Sequence, residues 1–125
     1  MIKKLQVLAL VVAFLCAPLV SAHHRWPVNQ ATLVTVQGTV TEFDWSSPHP
    51  MISLDVLRDD GATEEWRVGG PAINRMEAKG WSKETLKPGD VITGIGYQFL
   101  DGSQIIRLER VIFADGKEML VYANP

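Results

Sequence analysis

The sequence predicts a mainly β fold: a small, OB-like, partly closed barrel of five to six strands with one short helix between strands three and four. Three observations support this prediction. Apolar and polar residues alternate over several strand-length segments, the alternation changes phase inside the first segment, and one helical segment follows the third. A β-sandwich, the alternative, would not need that helix, so the barrel is preferred.

The first strand follows a polar, proline-containing arm over residues 23–32. Val36 and Val40 share one face of this strand, whereas Phe43 falls on the opposite phase. A change of phase inside a long strand implies a bulge or a sharp coil, and Gly38 is the natural bending point.

Turn residues separate the next elements. Ser-Ser-Pro-His-Pro at residues 46–50 ends the first strand, because neither proline can donate to a ladder, and Asp59-Asp60-Gly61 predicts a hairpin between strands two and three. A helix is predicted over residues 71–79, with Pro71 in its first turn and Gly80 as its stop.

Pro88-Gly89 predicts a type II turn before the fourth strand. In that strand Val91, Thr93 and Ile95 share one face, and the glycines beside Ile95 predict that this face is turned to the core. The predicted core consists of Val36, Val40, Ile52, Leu54, Trp66, Ile73, Ile95, Leu108 and Val111.

Residues 1–22 have the three parts of a secretory signal peptide. Lys3 and Lys4 form a basic region, residues 7–15 are apolar without interruption, and Val20-Ser21-Ala22 offers small or slender residues where a signal peptidase reads. The sequence therefore predicts cleavage after Ala22.

Two other interpretations of this segment are disfavoured. A transmembrane anchor needs about 20 apolar residues, whereas the stretch over residues 7–20 has 14. A lipoprotein signal is excluded because Leu15 precedes the only cysteine, Cys16.

The predicted mature chain, residues 23–125, has the length of one domain and contains no cysteine. Loss of Lys3 and Lys4 leaves ten basic side chains against 14 acidic ones, a formal charge of −4. With no basic cluster present, a nucleic-acid partner is not expected. We expect a periplasmic or secreted protein with no stable membrane insertion after processing.

Short motifs along almost the whole mature chain resemble those of an uncharacterised bacterial family of exported single-domain proteins, a domain of unknown function. One difference is Ser47, where the family usually has asparagine. The resemblance implies a periplasmic location and one domain, and it implies no activity. The motifs are His23-His24, Gly38-Thr39-Val40, Trp45-Ser46-Ser47-Pro48-His49, Gly69-Gly70-Pro71, Gly80-Trp81, Pro88-Gly89-Asp90 and Asp101-Gly102-Ser103.

All three histidines, His23, His24 and His49, lie in the first part of the mature chain. Imidazole is the commonest protein ligand for metals, and nitrogen sites bind Cu²⁺ most tightly among first-row divalent ions. A histidine at a mature N-terminus also offers its α-amine, which can chelate with its own ring Nδ1. A third nitrogen would complete the histidine brace of lytic polysaccharide monooxygenases and periplasmic copper carriers, a similarity confined to the terminal residue. We expect one copper ion bound by His23 and His49, with His24 as the substitute third ligand.

Other interpretations stay open. The histidine pair can be a solvated tail, since a first strand of about 40 Å would separate His49 from the arm, although the arm can span roughly 33 Å. Alternatively, the barrel face binds an oligosaccharide or peptide without metal, and Trp26 and Trp45 line the groove. No phosphate loop or nucleophile elbow occurs, so no catalytic residue is assigned and an enzyme is not expected.

Mass spectrometry of the exported protein should identify His23 as its first residue, because the cleavage pattern ends at Ala22. A mature form that retains residues 1–22 in the membrane would contradict both the predicted location and the predicted amine ligand.

Overall fold

The structure, a computed structural model, describes residues 25–122. This part of the chain contains six strands and one short helix. The predicted signal peptide, His23 and His24 lie outside the described residues. The elements are β1 (Val34–Asp44), β2 (Met51–Leu57), β3 (Thr63–Gly69), α1 (Ile73–Glu77), β4 (Val91–Gln98), β5 (Ile105–Phe113) and β6 (Glu118–Leu120).

Five of these strands close into a barrel. β1 pairs antiparallel with β2 and β4, β2 pairs with β3, and β4 pairs with β5. A parallel contact between β3 and β5 then joins the two ends of the sheet. β6 extends the sheet from the other half of β5, over residues 110–112. The predicted OB-like barrel, with one helix between strands three and four, is confirmed.

The change of phase in β1 is a β-bulge, as predicted, but its position differs. The register shifts between Val40 and Glu42, so Thr41 is the extra residue. Gly38 serves a different purpose, because a Cβ there would lie 2.7 Å from the carbonyl oxygen of Asp55. The missing side chain lets β2 approach β1 closely.

In β4 the predicted face is wrong: the residues that point into the barrel include Gly94 and Gly96, and Ile95 is only partly buried. A Cβ on Gly94 would lie 2.9 Å from Leu108 Cδ2, and one on Gly96 would collide with the carbonyl oxygen of Arg107. β5 lies too close to these two positions for larger side chains, whereas Ile92 on the same face is buried in the core.

Most of the other predicted core residues are buried. Trp66 and Ile73 are corrections, since both are only partly buried. The indole N–H of Trp66 donates to Glu64 Oε1 at 2.9 Å, which keeps one edge of the ring at the surface. The predicted residues that are buried are Val36, Val40, Ile52, Leu54, Leu108 and Val111.

The helix predicted over residues 71–79 is shorter, Ile73–Glu77. As predicted, Gly80 stops the helix in a left-handed conformation, with φ of +91°. The N–H groups of Gly80 and Trp81 donate to the carbonyls of Glu77 and Met76, the Schellman pattern that satisfies the last turn. Within residues 25–122 there is no helix long and apolar enough to cross a membrane.

Replacement of Leu54 by alanine should lower the free energy of unfolding by about 2–5 kcal/mol, because its fully buried side chain would leave a cavity. Ile95→Ala is the matched control and should cost clearly less, since Ile95 is only partly buried. Urea denaturation of both variants measures the difference. Equal losses would contradict the inward position of the β4 glycines.

Candidate functional site

A cleft of about 360 Å³ lies where the N-terminal arm crosses the barrel. The arm, the β1–β2 loop, the segment around α1, β5 and the C-terminal end of the described chain all contribute to it. Its volume is at the lower end of the range typical of small-molecule sites. The lining residues that carry the following argument are Arg25, Trp26, His49, Arg75, Arg107 and Tyr122.

Backbone pairing fixes the arm against the barrel. Val28 forms an antiparallel bridge with Phe99, and the N–H of Asn29 donates to the carbonyl of Gln98 at 2.9 Å. The side chain of Val28 is buried. The arm therefore continues the sheet beyond β4, and this pairing sets the direction in which the preceding residues leave the barrel.

Trp26 is the residue of the arm that covers the barrel wall. Its ring centroid lies 5.1 Å from that of His49 and 5.7 Å from that of Phe99. Gly69 makes this contact possible, since a Cβ there would lie 2.6 Å from Trp26 Cη2 and 2.5 Å from Met51 Sδ. The arm and the β1–β2 loop thus meet over a glycine.

His49 is held at the start of β2 by the loop that contains it. The following Pro50 is buried, and its carbonyl accepts a 3.1 Å hydrogen bond from Gly70 N–H. Nδ1 of His49 is itself buried and has no hydrogen-bond partner among residues 25–122. A buried nitrogen without a partner is unfavourable, so this ring is suited to a ligand, a metal ion or a proton donor.

The structure brings together only some of the site residues proposed from the sequence. Trp26 and His49 come together in the cleft, whereas Trp45 packs against Phe43 at 5.5 Å and does not line it. His23 and His24 lie outside the described residues. Between residues 25 and 122, no three histidine, cysteine, aspartate or glutamate side chains are grouped so as to hold a metal ion.

Arg107 forms the floor of the cleft and is held from three sides. Its guanidinium lies 5.2 Å from the ring centroid of Tyr97 and 4.9 Å from that of Tyr122. A terminal nitrogen contacts Glu109 Oε1 at 2.6 Å, and both side chains are mostly buried. This ion pair largely balances the charge of Arg107.

Arg25 and Arg75 are exposed at the cleft and make no ion pair with any described carboxylate. Tyr122 lines the same cleft. Burial raises the pKa of Tyr122, and this rise is opposed by a hydrogen bond from the side chain of Trp26 and by the positive charges of Arg107 and Arg75. The hydroxyl therefore stays protonated at neutral pH and can donate a hydrogen bond.

Sequence reasoning did not identify the arginines or Tyr122 as site residues. Arg25, Arg75, Arg107 and Tyr122 are widely separated along the chain, and no local spacing connects them. Only the path of the closed barrel brings them to one cleft. One signal in the sequence could have indicated a cationic site residue: Arg25 directly precedes Trp26, which was already a candidate.

Comparison with known proteins gives a family and no function. No curated protein matches the chain. A family described as "Family of unknown function (DUF6152)" matches residues 11–106, a segment that contains Trp26, His49 and Arg75. The match covers well over half of the 125 residues. The chain therefore belongs to the DUF6152 family of unknown function.

Proposed function

We propose that this protein is exported, is cleaved after Ala22, and binds one copper ion through its new N-terminal histidine. The amine and ring of His23 would supply two nitrogens and His49 the third, with His24 as the substitute. The observation that carries the proposal is the contact between Trp26 and His49, whose ring centroids are 5.1 Å apart.

That contact answers the geometric objection raised by the length of the first strand. Trp26 is the third residue after His23, and three residues span at most about 10 Å. Since Trp26 packs on His49 itself, residue 23 is within reach of the imidazole by chain length alone. The unpaired Nδ1 of His49 gives chemical support, because neutral imidazole is a preferred ligand of Cu²⁺.

Electrostatics oppose the proposal, because Arg25 and Arg75 line the cleft beside His49 and repel a divalent cation. Both side chains are exposed, so water and salt screen this repulsion.

A second candidate is a binding module that works without metal. The cleft beside Trp26 favours ligand binding, because it is concave and has aromatic walls. Trp45 does not line it, so a long groove that joins both tryptophans, as an oligosaccharide or peptide would need, has less support.

One residue added ahead of His23 should weaken copper binding sharply, because it moves the α-amine off the chelate ring and leaves every imidazole in place. His49→Gln should weaken binding at least ~10-fold, the usual scale for loss of a metal-site partner. Asp59→Ala, in the exposed β2–β3 hairpin, is the control and should bind normally.

Calorimetry of correctly cleaved protein with Cu²⁺ measures these affinities. Reference pKa values are ~7.7 for an α-amine and ~6.5 for an imidazole, and both groups must lose protons before they bind. Affinity should therefore fall as the pH drops below about 6, with protons released on binding. Equal binding by the cleaved and extended proteins would exclude the brace.

Trp26→Ala should also weaken copper binding, although it removes no ligand. The expected cause is loss of the packing that holds the arm at His49. Leu33→Ala is the matched control, since Leu33 is an exposed apolar residue between the arm and β1. Unchanged affinity in Trp26→Ala would mean that the arm does not position the site.

A further inference from the structure

The charge of the cleft is opposite to that of the protein. The chain carries 14 acidic and 12 basic side chains, yet the cleft is lined by Arg25, Arg75 and Arg107 and by no aspartate or glutamate. A concave surface of one sign concentrates ions of the other sign. This local positive field is thus a property of the cleft and not of the whole surface.

Two of the three charges are available to a ligand. Arg107 is already paired with Glu109, whereas Arg25 and Arg75 contact no carboxylate within residues 25–122. A guanidinium presents its N–H groups in a planar fork that fits the two oxygens of a carboxylate or phosphate. The protonated hydroxyl of Tyr122 adds a neutral donor to the same wall.

The walls limit the rest of the ligand. Trp26, His49 and Tyr122 present aromatic rings to the cleft. Its volume of about 360 Å³ is suited to a small molecule with a flat or apolar body.

We infer that the cleft binds a small organic oxyanion, a carboxylate or a phosphate ester, between Arg25 and Arg75 with Tyr122 as a further donor. The flat part of the ligand lies against Trp26. The anion-binding groups differ from the proposed copper ligands, although His49 lines the same cleft.

The test uses mature, correctly cleaved protein freed of metal and dialysed, so that no chelating anion remains. Calorimetric titrations with benzoate, phenyl phosphate and the neutral isostere benzamide separate the two oxyanions from simple ring binding. We expect saturable binding of at least one oxyanion, with benzamide bound at least ~10-fold more weakly, because a charge-assisted pair contributes more than tenfold in affinity. Affinity should fall as salt rises from 0.15 M to 1 M, where the Debye length shrinks from about 8 Å to 3 Å.

Variants locate the binding. Arg25→Gln and Arg75→Gln should each reduce oxyanion affinity at least ~10-fold. Arg58→Gln is the matched control: Arg58 is an exposed arginine, paired with Asp60 in the β2–β3 hairpin and absent from the cleft. The protein extended ahead of His23 should bind the oxyanion as well as the cleaved protein, which separates this inference from the copper proposal.

Binding of benzoate alone or of phenyl phosphate alone supports the inference and identifies the anion class. Three results would overturn it: no saturable binding of either oxyanion, benzamide bound as tightly as benzoate, or equal losses in the cleft variants and in Arg58→Gln.

Discussion

The parallel contact between β3 and β5 is the constraint on which the rest of this structure depends. It spans only three residue pairs, from Arg67 with Ile105 to Gly69 with Arg107, yet it turns a sheet into a barrel. The end of β3 already pairs with the start of β2, Gly69 with Met51. Closure brings it beside Arg107 on the floor of the cleft. Gly69 is central here, because its missing side chain leaves room for the indole of Trp26.

The cleft combines two kinds of interaction that differ in their dependence on solvent. Arg107 is mostly buried between two tyrosine rings and paired with Glu109, so salt screens this cluster little. Arg25 and Arg75 project into solvent, where their field is screened within about one Debye length. The buried cluster around Arg107 shapes the cleft, and the exposed Arg25 and Arg75 supply its positive field.

The two proposals would be linked energetically if both are correct, since both use the junction of the arm with His49. An oxyanion between Arg25 and Arg75 would offset their repulsion of a nearby Cu²⁺. Thermodynamic linkage then requires that copper strengthen anion binding by the same factor. The physical basis is charge neutralisation in one cleft, and no conformational change is needed.

The sequence by itself determined the features that depend on neighbours along the chain. The alternation in β1 and β2, the turn at Gly61 and the helix stop at Gly80 follow from side-chain period and from backbone freedom at glycine, so they were predictable. The barrel class followed from the order of these elements.

Tertiary structure alone decided the rest, because it depends on distances between remote segments. Ile95 was assigned to the core from its apolar character, but the inner face of β4 carries Ile92, Gly94 and Gly96, and the close approach of β5 leaves no room for a side chain at the two glycines. The contact of Trp26 with His49 and the grouping of Arg25 with Arg75 leave no periodic signal in the sequence. Barrel closure creates both, since it joins residues that no local spacing relates.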